Sequence, residues 1–246
     1  MTALMERYGG KWLSFGAGGG ALLMLVILLT SAGFRVSRIE LERDYGSPPP
    51  LIDERSLKEM LAWTMGANVF TLNTGVLALE IAKQPSVLSA AVDARIDGTL
   101  IIRVTYRTPV ANWQVGDKTF LVDGAGALLA EGHEESLGLT VIDMDRSTAS
   151  AGDRVSPRAL EAAYKLQKNL PLMEVVPVRI AYSSPAGFVI TDERSREITF
   201  GPPEFLAAKL VALRAVLDDA ARSGEEVARI DLRPLDRPTY QILKRN

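Results

Sequence analysis

Trp12 to Phe34 is a run of 23 residues without charge or histidine, in a chain of 246 residues that is otherwise charged and mixed throughout. A helix rising about 1.5 Å per residue carries that run roughly 34 Å, enough for a hydrocarbon layer about 30 Å thick. From Ala21 to Leu29, nine residues in succession are apolar. A helix apolar all round lies in a membrane or in a deep core, and near an N-terminus the membrane is favoured. The expectation is one spanning helix, 12–34, with a short tail, 1–11, on one side and the bulk of the chain on the other.

The same segment admits other readings. Lys11 and the small residues Thr30-Ser31-Ala32 suit a cleaved signal peptide, although the uncharged run is long for a signal core. Gly16-Ala17-Gly18-Gly19-Gly20-Ala21 fits a dinucleotide fingerprint, with Glu40 at a suitable distance. That motif needs a preceding strand, and only Trp12-Leu13-Ser14-Phe15 precedes it. Gly16 and Gly20 also have the spacing of a close helix–helix contact in a bilayer.

Flanking charge does not orient the span. Arg7 and Lys11 precede it, while Arg35, Arg38 and Arg43 follow it, and a long domain translocates largely regardless of such charges. The absence of cysteine suits an extracytoplasmic domain without disulfides. The 28 basic and 30 acidic residues leave a net charge of −2, which argues against a nucleic-acid binder.

Beyond the span the chain is too long for one small core and reads as two modules. Val36 to Glu42 alternates as a half-exposed strand, and Gly46-Ser47-Pro48-Pro49-Pro50 reads as a loop. Asp53 is placed to cap a helix with Leu57, Leu61 and Met65 inward and Gly66 as its stop; Thr74 is placed to cap a second, with Leu77 and Ile81 inward, ended by Pro85. Two strands follow around Asp97-Gly98. Pairing Ile96 with Leu100 through a loop of Asp97-Gly98-Thr99 keeps both apolar sets on one face. The order is strand–helix–helix–strand–strand.

In the second module, Ser156-Pro157 opens a helix with Leu160, Ala163 and Tyr164 inward. Val176 to Ile180, Phe188 to Ile190 and Glu197 to Phe200 read as strands. Pro202-Pro203 starts a longer helix with Leu206, Leu210, Leu213 and Leu217 on one stripe, stopped at Gly224. Val227 to Leu232 and Thr239 to Leu243 read as closing strands. The fold class expected is α+β, with a mixed antiparallel β-sheet and helices packed against it.

Catalytic chemistry is hard to find. His133 is the only histidine and lies in the polar stretch Glu131-Gly132-His133-Glu134-Glu135. No nucleophile elbow or phosphate loop is present. Asp143 and Asp145 fall on one face of a strand but lack the partners a metal or acid–base pair requires, and read as a solvated strand end. Asp218-Asp219 and Glu225-Glu226 read as an exposed helix end and its loop.

Several fragments carry a resemblance. Tyr106-Arg107-Thr108-Pro109-Val110-Ala111-Asn112-Trp113 is similar to the junction that closes the POTRA domain of the FtsQ/DivIB cell-division proteins. Thr119-Phe120-Leu121-Val122-Asp123-Gly124-Ala125-Gly126 resembles their aromatic-Leu-Val-Asp turn. Gly201, Lys209-Leu210 and Ile230-Asp231-Leu232-Arg233 resemble their closing sequence in order and rough spacing.

The resemblance implies a POTRA domain over 35–108 and a β domain over 109–243, followed by a tail, 244–246. It also implies a single-pass protein of the cell inner membrane, N-terminus cytoplasmic and bulk extracytoplasmic, at the division site. The role implied is a scaffold without catalytic residues, cofactor or metal. Its partners would be single-span coiled-coil proteins of the FtsB/DivIC and FtsL types and, through them, the septal peptidoglycan synthase complex.

The partner site is expected at the terminal strand. Thr239-Tyr240-Gln241-Ile242-Leu243 is β-prone, and a last strand left at a sheet edge offers unpaired N–H and C=O groups. The candidate residues are Arg233, Pro234, Thr239, Tyr240, Gln241 and Ile242, with Arg233 as the charge contact and Tyr240 and Ile242 as anchors. A proline at Gln241 is expected to remove a ladder donor without unfolding an edge strand. Another POTRA-bearing transport, secretion or envelope-assembly factor and a membrane-anchored envelope enzyme are the alternatives.

Overall fold

The computed structural model describes residue 20 and residues 23–27, 30–43 and 50–243. Most of the uncharged run, its glycine motif, the tail 1–11, most of the proline-rich loop and residues 244–246 lie outside the described residues. Among the described residues, no helix is long and apolar enough to cross a membrane. The chain divides into two compact units between Tyr106 and Arg107, each with its own apolar core.

The N-terminal unit runs β1 (Arg38–Arg43), α1 (Glu54–Met60), α2 (Thr74–Ala82), β2 (Val87–Ala94) and β3 (Thr99–Tyr106). Its sheet has the order β1-β3-β2, with β1 parallel and β2 antiparallel to β3. β3 takes the centre because Leu100, Ile101, Ile102, Val104 and Tyr106 are all buried. On its outer face Arg103 bridges to Glu42 on one neighbour (2.9 Å) and Asp93 on the other (2.8 Å).

Several local expectations are corrected here. α1 stops at Met60 and continues as a 3-10 turn over Ala62–Thr64, so Thr64 is buried and Met65 faces outward. The cap of α2 is Asn73, whose side chain accepts from the Val76 N–H, rather than Thr74. The hairpin pairs Ala94 with Leu100 and Val92 with Ile102, so the three-residue loop is Ile96-Asp97-Gly98. A shift of two residues keeps every side chain on its expected face except Ile96, which enters the turn and is 69% exposed. The turn is fixed by Asp97, whose carboxylate accepts the Thr99 N–H, and by Gly98 at φ +83°.

The second unit contains β4 (Pro109–Val115), β5 (Lys118–Asp123), β6 (Leu128–Glu131), β7 (Thr140–Asp143), α3 (Pro157–Asn169), β8 (Pro177–Ser183), β9 (Gly187–Asp192), β10 (Glu197–Gly201), α4 (Leu206–Ser223), β11 (Val227–Asp231) and β12 (Thr239–Ile242). They form one nine-stranded sheet, β12-β11-β10-β9-β8-β7-β4-β5-β6. It is mixed: β4 with β7, β7 with β8, and β10 with β11 run parallel. For the last two pairs the reason is connectivity, since α3 lies in the chain between β7 and β8 and α4 between β10 and β11. A helical crossover returns the chain to start the next strand in the same direction.

α3 begins as expected, with the Ser156 side chain accepting from the Ala159 N–H and Pro157 in the first turn, but Tyr164 faces solvent. α4 begins at Leu206, after Pro202-Pro203, and ends at Gly224 in the left-handed region. Leu206 and Leu213 are buried with Val216 and Ala220, while Leu210 and Leu217 sit at the core margin.

Candidate functional site: the β11–β12 edge

The segments that carried the resemblance fall into two groups, one on β4 and β5 and the other around Gly201 and the end of β11, with three strands between them in the sheet. Ala111 and Trp113 are buried in the core, and Asn112 beside them exchanges two hydrogen bonds with the Glu134 backbone. At the end of β5, Asp123 accepts from the N–H groups of Ala125 (3.0 Å) and Ala127 (2.8 Å), and its second oxygen pairs with Arg107 at 2.7 Å. β7, β9 and β11 end in the same way, with Asp143 on Arg146, Asp192 on Arg196 and Asp231 on Arg233. A carboxylate that accepts backbone and guanidinium donors closes each turn, buried in the first three and half-buried at Asp231.

Asp143 is therefore not the solvated strand end expected. It is 8% exposed and accepts from the Trp113 indole (3.0 Å), the Arg146 guanidinium and the Asp145 N–H. Burial pushes its carboxyl up, but the indole, the guanidinium and the backbone donor outweigh that and hold it below the ordinary value. Asp145 is exposed and accepts from the Ser184 N–H, and His133 lies exposed in its loop. Among the described residues, no group of three or more His, Cys, Asp or Glu is placed to hold a metal ion.

β12 is the outermost strand, antiparallel to β11, with Thr239 opposite Asp231, Tyr240 opposite Ile230, Gln241 opposite Arg229 and Ile242 opposite Val227. The direction of its backbone groups follows from two bonds. Leu243 donates its N–H to Glu226 (2.7 Å), and on β11 Leu232 donates to Thr199 of β10 (2.8 Å). The period of two then turns Thr239 and Gln241 toward β11 and leaves the N–H and C=O groups of Tyr240 and Ile242 facing away from the sheet. This corrects the position of the proline test: at Gln241 a proline removes a bond that holds β12 to β11.

The side chains of the site are unequal. Tyr240 packs against the core margin, and its hydroxyl donates toward Glu225 (3.1 Å) and Asp219 (3.4 Å). The Glu225 carboxylate that it meets pushes the phenol upward. Neither acid was legible as a partner, because both lie at least 15 residues from Tyr240 in sequence. Ile242, on the same face as Tyr240, is 47% exposed, and Thr239, Gln241 and Leu243 are exposed.

Arg233 is not a free charge. Its Nε and Nη2 form a bidentate pair with Asp231, which raises the guanidinium and lowers the carboxyl. Its methylene stem covers Gly201, where an added Cβ would meet the Arg233 Cγ at 2.8 Å. Pro234 is exposed in the β11–β12 connection and its carbonyl accepts from the Arg237 N–H. The structure thus gathers Gly201, Asp231 and Arg233 at the start of the site, and Tyr240 and Ile242 along its edge. A cleft of about 740 Å³ adjoins the far end, lined by Leu172, Leu217, Val227 and Leu243 with Arg194 and Arg214.

No protein-family model matches the chain. It is 26% identical over 223 residues to the cell division protein FtsQ of Chloroflexus aggregans, covering 89% of this chain and 78% of that one. It is 24% identical over 228 residues to cell division protein FtsQ of Mycobacteroides abscessus, covering 87% and 72%. With cell division protein FtsQ of Cereibacter sphaeroides the identity is 25% over 200 residues, covering 80% and 61%. Several relatives of one name, matched along most of this chain and in agreement with the residue fragments above, support its likeness to the FtsQ/DivIB family of cell-division proteins.

Proposed function

We propose that this chain is a non-enzymatic, bitopic scaffold of the bacterial division machinery. In this reading residues 12–34 are retained as a membrane anchor, 1–11 are cytoplasmic, and a POTRA domain (35–108) and a β domain (109–243) work outside the cytoplasm. The β domain receives a segment of a small single-span coiled-coil partner of the FtsB/DivIC or FtsL type as a tenth strand beside β12. Through that partner it joins the septal peptidoglycan synthase complex.

The observation that carries this reading is the outward direction of the Tyr240 and Ile242 backbone groups on an edge strand that no described residue covers. A partner strand satisfies them, and alternate side chains supply specificity. Ile242 and the half-buried Tyr240 ring offer the apolar contact, while Arg233, held by Asp231, presents its outer face as an oriented donor. The division names of the relatives favour this reading over a transport factor or an envelope enzyme.

Ile242→Pro removes an outward donor without touching the bonds to β11. It is expected to weaken binding of a partner ectodomain about tenfold, the worth of one ladder bond and its contact, with an unchanged melting temperature. Binding as tight as the parent's would place the site elsewhere. Alanine at His133 or Asp145 is expected to leave division intact in a complementation assay. Loss of division with normal protein level would count against a scaffold.

A further inference from the structure

The first described helical residues reach the N-terminal unit at a ring of exposed apolar side chains. Leu23, Met24, Leu25, Val26 and Ile27 are 47–64% exposed. Five successive helical positions pass right round the helix, so among the described residues none buries any of its sides. The Ser31 N–H still bonds to Ile27, and three residues later the chain enters strand-like pairing. Val69 donates to Phe34, Val36 to Ala67, and Gly66 to Val36, each at 2.9 Å.

On the other side, Ser37 donates to Gly98 at 2.8 Å, and a Cβ on Gly98 would meet the Arg35 carbonyl at 2.4 Å. Two loops, 61–70 and 95–98, are therefore pinned within a few residues of the end of the uncharged run. Both carry large apolar side chains that no core takes up: Trp63 is 66% exposed, Met65 48%, Phe70 49% and Ile96 69%. Phe70 meets Phe34 edge-on at 5.2 Å, which ties the ring directly to the last residue of the run. Arg35, Arg38 and Arg95 are exposed beside these loops. The acid of the same turn, Asp97, is engaged by the Thr99 N–H.

We propose that these two loops form a membrane-interface foot, which seats the N-terminal unit on the headgroup layer where the anchor ends. Trp63, Met65, Phe70 and Ile96 enter the interfacial layer, and the three arginines meet lipid phosphates. The proposal rests on the anchor reading above. If Phe34 stands at the hydrocarbon boundary, groups hydrogen-bonded to residues 34–37 lie within the adjoining headgroup zone. Aromatic and basic residues are the composition that this zone favours.

The chain has no cysteine, so single cysteines take a spin label cleanly. The full chain is reconstituted in vesicles of phosphatidylethanolamine and phosphatidylglycerol, labelled in turn at Leu25, Met65, Ile96 and Lys83. Collisions with oxygen and with an aqueous nickel chelate are then compared. The proposal expects oxygen preference at Leu25, Met65 and Ile96, and nickel access at the charged end of α2, Lys83. It also expects the Met65 label to lose its oxygen preference when Trp63→Glu and Ile96→Glu are added. Lipid contact at Leu25 with aqueous Met65 and Ile96 overturns the foot and leaves the anchor. An aqueous Leu25 overturns both. Labels at Met65 and Ile96 shielded from both reagents indicate a protein contact and overturn the lipid assignment.

Discussion

Asp143 and Gly187 are the residues on which the larger unit depends most visibly. Asp143 joins Trp113 on β4 to Arg146 beyond β7. Its folded carboxyl lies below the ordinary 3.8, so it stabilises the fold at pH values above 3.8, and that contribution is lost as pH falls through the folded value. Asp143→Asn should cost about 3 kcal/mol near neutrality, as the loss of one member of a buried, hydrogen-bonded pair does. The deficit should shrink as urea unfolding is repeated in progressively acidic buffer; a constant deficit would deny the carboxylate this role. Gly187, at φ +76°, presses against the end of β10, the strand paired with its own: a Cβ there would lie 1.8 Å from the Gly201 carbonyl carbon. Gly187→Ala should destabilise by at least about 3 kcal/mol, since neither backbone can yield cheaply. A melting temperature like the parent's would show that the end of β10 shifts aside freely.

At the scale of elements, β12 is bound to β11 on one side and has no described strand on the other, and two prolines tell the sides apart. Gln241→Pro should release β12 from β11, seen as faster amide exchange across residues 226–231, whereas Ile242→Pro should leave those amides as slow as in the parent. Equal effects would mean that the alternation along β12 is misassigned. Much of this was legible in the chain. The alternation of Val227–Leu232 and Thr239–Leu243 marked the last two strands, and Ser156-Pro157 and Gly224 marked helix ends through their own backbone chemistry. The parallel pairings were not legible, because strand direction is set by where α3 and α4 return the chain and not by side-chain period. The outward turn of Met65, Ile96 and Tyr164 was equally hidden: each fits an apolar pattern, and only packing decides whether a patterned residue reaches the core. Asp143 was misread because its partners, Trp113 and Arg146, come from a distant strand and from the turn that follows. Within the site, the edge strand and its residues could be named from sequence, while the Asp231–Arg233 and Tyr240–Glu225 pairs depend on the fold.

The whole molecule consists of two units with separate cores, joined at Tyr106 and Arg107. Each has its own sheet, so residues 107–246 expressed alone should unfold in a single cooperative transition. A broad, uncooperative melt would show that the second core needs the first. The anchor reading expects the mature protein to keep its N-terminal run, and mass spectrometry beginning at Gly33 would instead indicate a cleaved, secreted chain. The central claim is that the β12 edge is where the partner's strand is added. Amide hydrogen exchange of residues 35–246, with and without an FtsB/DivIC-type ectodomain, reads that claim at single residues. The amides of Tyr240 and Ile242, open in the free protein, should become protected on binding, while those of Thr239 and Gln241, already bonded to β11, change little. Binding that leaves Tyr240 and Ile242 exchanging as fast as before would contradict it.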